Sequence, residues 1–176
     1  MKVVLLGYMG VGKSTLGRLL ADHLGVKFTD LDSYIEEKEG QSISNLFENK
    51  GEIYFRQQET LALNQLLTTP EGMILSLGGG TPVYGDNMQI ITETEDVTSI
   101  YLKLQTDALV SKLFEQRGDR PIISHINDRI EFEEFVKKHL FERQQFYFLA
   151  DHVLDITAQT EDQSLGEVIQ LLDIKH

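Results

Sequence analysis

The residues best placed to do chemistry stand near the start of the chain, in Gly7-Tyr8-Met9-Gly10-Val11-Gly12-Lys13-Ser14-Thr15. The stretch satisfies G-x-x-x-x-G-K-[S/T]. A short apolar strand, Lys2 to Leu6, precedes it, and Leu16, Leu19, Leu20 and Leu24 follow at helical spacing before Gly25 closes the helix. In that context it is a phosphate cradle. Around Gly10, Val11 and Gly12 the backbone curls so that N–H groups converge, and the helix start at Lys13, Ser14 and Thr15 adds its positive dipole end. Lys13 brings a mobile charge to the terminal phosphates of a nucleoside triphosphate, and the Ser14 hydroxyl suits Mg²⁺.

Three further groups could act beside it. Residues 26–30 read as a second strand that ends in Asp30-Leu31-Asp32. Carboxylates there face the crevice where open parallel sheets bind ligands. Asp30 is a candidate for holding Mg²⁺, directly or through water. Asp32, on the same side of an extended segment, is a candidate for a substrate hydroxyl; an ordinary helix N-cap is the competing role. Arg56 lies near the start of a helix spanning 52–67, where the helix dipole favours anions rather than cations. It therefore suits an incoming anion, with Glu59 one turn on to hold its guanidinium, or else it is a solvated surface arginine. The apolar run 73–77 reads as a strand covered on both faces and ends in Gly78-Gly79-Gly80, a backbone that must approach something closely. No carboxylate follows that strand, which moves the Mg²⁺-supporting role to Asp30.

Later cations complete the set. Arg117-Gly118-Asp119-Arg120-Pro121 after a helix at 106–116 has the build of a lid that closes over a phosphoryl group and excludes water. Arg143 stands among Phe141, Phe146, Tyr147 and Phe148 on a helix at about 127–149; an arginine so surrounded is paired or awaits an anion, and the aromatic run reads as core. A polar loop at 157–163 follows the last strand, 153–156, and precedes a helix at 165–172. The five histidines show no metal-ligand spacing.

These residues need a frame that gathers them, and the alternation of strands and helices supplies one: a parallel sheet with helices on both faces. A chain of 176 residues is most simply one domain, and it has no cysteine, hence no disulfide framework or thiolate metal site. The first apolar run is too short for a signal peptide, and no stretch approaches the ~20 apolar residues of a membrane span. A cytoplasmic protein is the expectation. A formal charge of −12 argues against nucleic acid or an anionic membrane as partner. A polyanionic nucleotide must then be met by locally gathered cations: Lys13, Arg56, Arg117, Arg120 and Arg143.

The chain resembles the shikimate kinases, of the nucleoside-monophosphate-kinase-like branch of P-loop proteins. The likeness rests on the G-x-x-x-x-G-K-S-T loop, Asp30-x-Asp32, Phe55-Arg56-x-x-Glu59, Ser76-Leu77-Gly78-Gly79-Gly80, Arg120-Pro121-Ile122-Ile123, and Arg143 four before Tyr147. It implies a three-layer α/β/α fold with a five-stranded parallel sheet of order 2-3-1-4-5, a substrate-binding subdomain at 33–60 and a lid at 112–124. It implies ATP and Mg²⁺ as co-substrate and metal, shikimate as acceptor, and a monomer. Arg56 and Arg143 would clamp the shikimate carboxylate beside Gly78, Gly79 and Gly80. Asp32 would hold ring hydroxyls, Ser14 and Asp30 would organise Mg²⁺, and Lys13 with Arg120 would stabilise charge on the γ-phosphoryl group. Arg117 would lie against the adenine, with the loop containing Gln159 over its other side. In two places the chain departs from the family pattern: Gln145 stands where R-x-P-x-Y has proline, and the 157–163 loop has no arginine. Two other readings remain: a kinase of another small hydroxy acid such as gluconate, and a nucleotide-dependent switch. The switch lacks the N-K-x-D element of guanine-specific proteins, since Asn49-Lys50 is followed by Gly51-Glu52.

Overall fold

A computed structural model describes residues 1–119 and 123–173. The five strands are β1 (Lys2–Leu6), β2 (Lys27–Asp30), β3 (Met73–Ser76), β4 (Val97–Lys103) and β5 (His152–Asp155). They form one parallel sheet of order β2-β3-β1-β4-β5. β1 is central: Val4 stands opposite Leu75 on one side and Ser99 on the other. Val3, Val4, Leu5 and Leu6 are all fully buried, as a strand covered on both faces requires. From β1 the chain moves to one side to build β2 and β3, then crosses β1 to build β4 and β5. The C-terminal ends of β1 and β3 flank that reversal, the place where such sheets open a ligand crevice.

The helices are α1 (Lys13–Leu24), α2 (Leu31–Glu39), α3 (Ile43–Thr68), α4 (Asn87–Glu93), α5 (Thr106–Glu115), α6 (Arg129–Tyr147) and α7 (Glu161–Asp173). Ser42 and Asp128 cap α3 and α6 by accepting backbone N–H groups of the first turn. α3 bends at Gly51 (φ 80°, ψ 168°), just before the helix read from the sequence at 52–67. Leu31 and Ile35 of α2 and Leu46, Phe55 and Leu63 of α3 belong to the same buried core as the sheet. Among the described residues, no helix is long and apolar enough to cross a membrane.

Three sequence expectations are corrected. The extended segment stops at Asp30 and α2 starts at Leu31, because the Asp30 carboxylate accepts Ser33 N–H and caps the helix. Asp32 is therefore in the first turn of a helix, not on an extended segment. α7 starts at Glu161 rather than 165, so Gln163 is helical and not part of the preceding loop. A reciprocal cap explains this: Thr160 N–H donates to Gln163 Oε1 (2.8 Å) and Gln163 N–H to Thr160 Oγ1 (3.2 Å). Finally, the aromatic run near Arg143 is not core as a whole. Tyr147 is fully buried, but Phe141 and Phe148 are 72% and 48% exposed. The inward line of α6 runs through Phe132, Val136, Leu140 and Tyr147, which leaves Phe141 on the opposite side.

Candidate active site

β1 delivers the chain into a loop whose Gly7, Gly10 and Gly12 have φ of 142°, 78° and 108°. Other residues rarely adopt these angles, and a Cβ on Gly7 would also sit 2.6 Å from the Leu102 carbonyl oxygen. α1 then begins from Gly12 with no side-chain cap and no acidic residue in its first turn. Its leading N–H groups and dipole are thus directed at an anion. Lys13, buried, arches back so that Nζ donates to the carbonyls of Gly7 (2.9 Å) and Tyr8 (3.0 Å). The first helix of the chain therefore begins in concentrated positive potential, just past the C-terminal end of β1.

Oxygen donors gather beside it. Ser14 Oγ donates to Asp30 Oδ2 at 3.0 Å and lies 3.5 Å from Ser76 Oγ, while Asp30 Oδ1 takes the Ser33 N–H. Asp30 thus caps α2 and still presents a carboxylate oxygen to Ser14. A hydroxyl paired with a carboxylate is the donor chemistry that a hard cation such as Mg²⁺ takes, with phosphate oxygens completing its shell.

The triple glycine is where the remaining groups converge. None of Gly78, Gly79 and Gly80 has positive φ, so their glycine identity reflects space rather than backbone angle. A Cβ on Gly78 would stand 2.9 Å from Asp32 Oδ1, and one on Gly80 would stand 2.8 Å from Arg56 Nη1. At Gly79 it would meet the Met9 N–H nitrogen at 3.3 Å and the Tyr147 hydroxyl at 3.8 Å. One turn therefore brings together the carboxylate of α2, the guanidinium of α3, the phosphate loop and α6.

Electrostatics distinguish the acids. Burial above all, with the charges of Asp30 and Glu59 adding to it and Lys13 partly offsetting them, pushes the Asp32 carboxyl up to about 6. Arg56 is held by two carboxylates. Nη1 donates to Glu59 Oε2 (2.6 Å), and Nε and Nη2 donate to Glu52 Oε1 (3.3 and 3.2 Å). Its guanidinium lies 3.8 Å from the centre of the Tyr84 ring. Glu59 is 1% exposed, and its second oxygen accepts the Thr81 hydroxyl at 2.6 Å. Of five guanidinium N–H groups, three are engaged with these acids, which leaves two for a ligand. The Arg56–Glu59 pairing was readable from spacing. Glu52, four residues before Arg56, carries the comparable i,i+4 signal beside the i,i+3 spacing of Glu59; Tyr84, Thr81 and Asn87 carry none.

Arg143 lies on α6 with only 15% of its side chain exposed, and Nη1 donates to the His139 carbonyl at 3.1 Å. Its charge acts on three rings nearby. Burial raises the Tyr8 and Tyr147 hydroxyls far above the usual phenol range, and Arg143 opposes that rise. Burial together with Arg143 pushes His139 down to about 4, so its imidazole is neutral. His139 Nδ1 lies 2.5 Å from the Tyr8 hydroxyl, and the Tyr147 hydroxyl donates to the Gly79 carbonyl at 2.5 Å. His139 thus joins the phosphate loop to α6, although no spacing rule singled it out.

Two other sequence candidates have partners outside this group. Arg117 Nη1 donates to the Phe114 carbonyl (2.6 Å), and its guanidinium lies 4.1 Å from the Phe114 ring centre, folding it back on α5. Gln159 donates to Glu167 and accepts from Ser164, tying its loop to α7. Arg120 lies outside the described residues.

Comparison with known proteins agrees with this geometry. The shikimate kinase family model matches residues 9–173. A shikimate kinase of Flavobacterium johnsoniae is 39% identical over 171 residues, covering 97% of this chain and 98% of that one. The crystal structure of shikimate kinase from Bacteroides thetaiotaomicron superposes with a TM-score of 0.87 at 31% identity, covering 98% of both chains. The structure of shikimate kinase from Acinetobacter baumannii in complex with shikimate gives 0.82 at 30% identity, with coverage of 99% and 93%.

The elevated proton affinity of Asp32 has a thermodynamic consequence. The fold favours its neutral form, so the stability it contributes is full below pH ~4 and is lost as pH rises through about 6. Asp32→Asn, uncharged throughout, should be more stable than the parent above pH ~7 by up to about 3 kcal/mol and equal to it near pH ~4. Urea unfolding across that range checks the sign; a variant less stable at neutral pH would contradict it.

Proposed function

The chain belongs to the shikimate kinase family, and on that premise we propose that it transfers the γ-phosphoryl group of ATP to the 3-hydroxyl of shikimate, giving shikimate 3-phosphate and ADP. The observation that carries this reading is the turn at residues 78–80, on which a proton-accepting carboxylate, an anion-ready guanidinium and the phosphate loop all close.

In this reading the nucleotide phosphates lie on the N–H groups of Gly10, Val11, Gly12 and the first turn of α1, and Lys13 leaves the Gly7 and Tyr8 carbonyls to reach the terminal phosphates. Ser14 and Asp30 would hold Mg²⁺, which would supply neutralisation of the phosphate charge. The acceptor carboxylate is clamped between Arg56 and Arg143, assisted by Gly79 N–H. Glu52 is half exposed and holds Arg56 at longer range than Glu59, so an incoming carboxylate can replace it while Glu59 stays. The attacking hydroxyl then faces Asp32. As its oxygen bonds to the γ-phosphorus and the bridging bond to ADP breaks, its proton passes to Asp32. A carboxylate with a pKa of about 6 is mostly ionised at neutral pH, yet more basic than an ordinary one. Positioning and electrostatics supply most of the acceleration, because the reaction asks little covalent chemistry of the protein. Arg120 and the adenine contacts of Arg117 and Gln159 belong to the same proposal as lid and nucleotide groups.

The decisive measurement is ADP release over a panel of small hydroxy acids. Shikimate should exceed gluconate in kcat/KM by about a hundredfold or more; comparable rates would favour a broader acid kinase. Lys13→Ala should abolish turnover. Arg56→Ala and Arg143→Ala should each raise the acid KM by about 30-fold or more, with the ATP KM changed only a few-fold. Equal effects on both constants would remove the clamp.

The same geometry sets the outcome at Gly80. A methyl there displaces the flexible end of Arg56 rather than backbone. Gly80→Ala should therefore weaken acid binding about tenfold while costing under about 1 kcal/mol of stability. A large stability loss with unchanged acid KM would show that the close approach has no bearing on the ligand.

A further inference from the structure

Behind Arg56 runs a closed ring of hydrogen bonds that the transfer chemistry does not itself use. Arg56 Nη1 donates to Glu59 Oε2 (2.6 Å), and Glu59 Oε1 accepts the Thr81 hydroxyl (2.6 Å). The Thr81 carbonyl accepts Asn87 Nδ2 (2.8 Å), and Asn87 Oδ1 accepts the Thr60 hydroxyl (2.7 Å). The same Thr60 proton is shared with the Arg56 carbonyl at 3.2 Å, the longer arm of a bifurcated hydrogen bond, which closes the ring on the residue where it began. Glu59, Thr81 and Asn87 are all buried. The ring joins α3, the turn at Thr81–Val83 and the start of α4.

We infer that Thr81 and Asn87, with Thr60, are positioning residues that aim Arg56 at the acid acceptor. The donor pattern leaves little choice of arrangement. Asn87 must turn its amide N–H₂ toward the Thr81 carbonyl, which puts its oxygen toward Thr60. Thr81 has one hydroxyl proton and gives it to Glu59 Oε1, so Oε2 faces Arg56. Without that proton, the buried carboxylate keeps its charge but loses the bond that fixes its rotation about the last side-chain torsion. Arg56 then loses a fixed acceptor, and Glu52 on the exposed side cannot replace it from the same direction. Thr81 also follows directly on Gly80, where a Cβ would stand 2.8 Å from Arg56 Nη1, so one short segment sets both the space and the aim of the clamp. Supporting shells of this kind, around a group that binds ligand, typically matter by about tenfold or more.

This inference rests on Arg56 as carboxylate clamp, and the experiment separates the two. Steady-state constants for shikimate and ATP are measured for the parent, Thr81→Val, Thr81→Ser, Thr60→Val and Arg56→Ala, each with a urea unfolding curve. Thr81→Val, which keeps shape and removes the hydroxyl, should raise the shikimate KM about tenfold with the ATP KM within about twofold. Thr81→Ser should restore it. Thr60→Val, which opens the same ring from α3, should shift the shikimate KM in the same direction and carries the test if Thr81→Val does not fold. A Thr81→Val shikimate KM within twofold of the parent, while Arg56→Ala raises it tenfold or more, overturns the positioning role and leaves the clamp standing. A parallel rise in both KM values with lost stability assigns Thr81 a structural role only and also overturns it. If Arg56→Ala leaves the shikimate KM unchanged, the clamp fails and this inference fails with it.

Discussion

A side chain at residues 78–80 would crowd the groups around it, and the site depends on that constraint. Three groups from three elements, the Asp32 carboxylate, the Arg56 guanidinium and the backbone of the phosphate loop, each stand within 3.3 Å of where a Cβ would be. Charged groups on separate helices are usually kept apart by the thickness of the backbone and side chains between them. A bare peptide turn at the end of a central strand reduces that separation to the width of a main chain. The entropic cost of consecutive glycines in the unfolded chain, of the order of 1 kcal/mol each, is the stability given up for this convergence.

The same crowding explains how a molecule of formal charge −12 receives two anionic ligands. Its acids are not uniform. Glu59 is buried and committed to Arg56 and Thr81, whereas Asp30 is shared between a helix cap and Ser14. Asp32 has lost most of its solvent and is pushed toward neutrality by its acidic neighbours. Each carboxylate near the crevice is therefore paired, shared or easily protonated, and repulsion of a ligand is smaller than a count of charges suggests. The cations are concentrated at short range, where screening by salt is weakest.

What was legible in the sequence was what local chemistry decides. The phosphate loop, the both-sides-covered strands and the Arg56–Glu59 pair follow from motifs and short spacings. The alternation of strands and helices yields a parallel sheet, whereas its 2-3-1-4-5 order came from the family resemblance and not from patterning. Asp32 was placed in the right crevice for a wrong local reason, because Asp30 caps α2 and pulls the helix start back to Leu31. The start of α7 was missed because Thr160 and Gln163 cap each other, a signal hidden in a stretch that reads as polar loop. The aromatic run on α6 misled because composition does not say which side of a helix faces in. Tyr84, Thr81 and Asn87 reach Arg56 only through tertiary packing, so no pattern in the chain could mark them.

The departure at Gln145 shows how such tertiary links substitute for a local device. Where relatives of the R-x-P-x-Y pattern place proline, this chain keeps a backbone N–H, and α6 runs through Gln145 without a break to Tyr147. An unbroken helix gives Arg143 a regular neighbour one turn back, His139, whose carbonyl holds its guanidinium. The ring of that same residue meets Tyr8, whose own carbonyl holds Lys13. One residue thus connects Lys13 with Arg143, the cations proposed for the nucleotide and for the acid. That link requires His139 to be uncharged, since a second positive charge beside Arg143 would repel it, and burial supplies that condition by holding the ring down to about 4. α6 is thus tied to its surroundings through its own side chains. The Tyr8–His139 hydrogen bond fixes it against the phosphate loop and the Tyr147–Gly79 hydrogen bond fixes it against the triple-glycine turn.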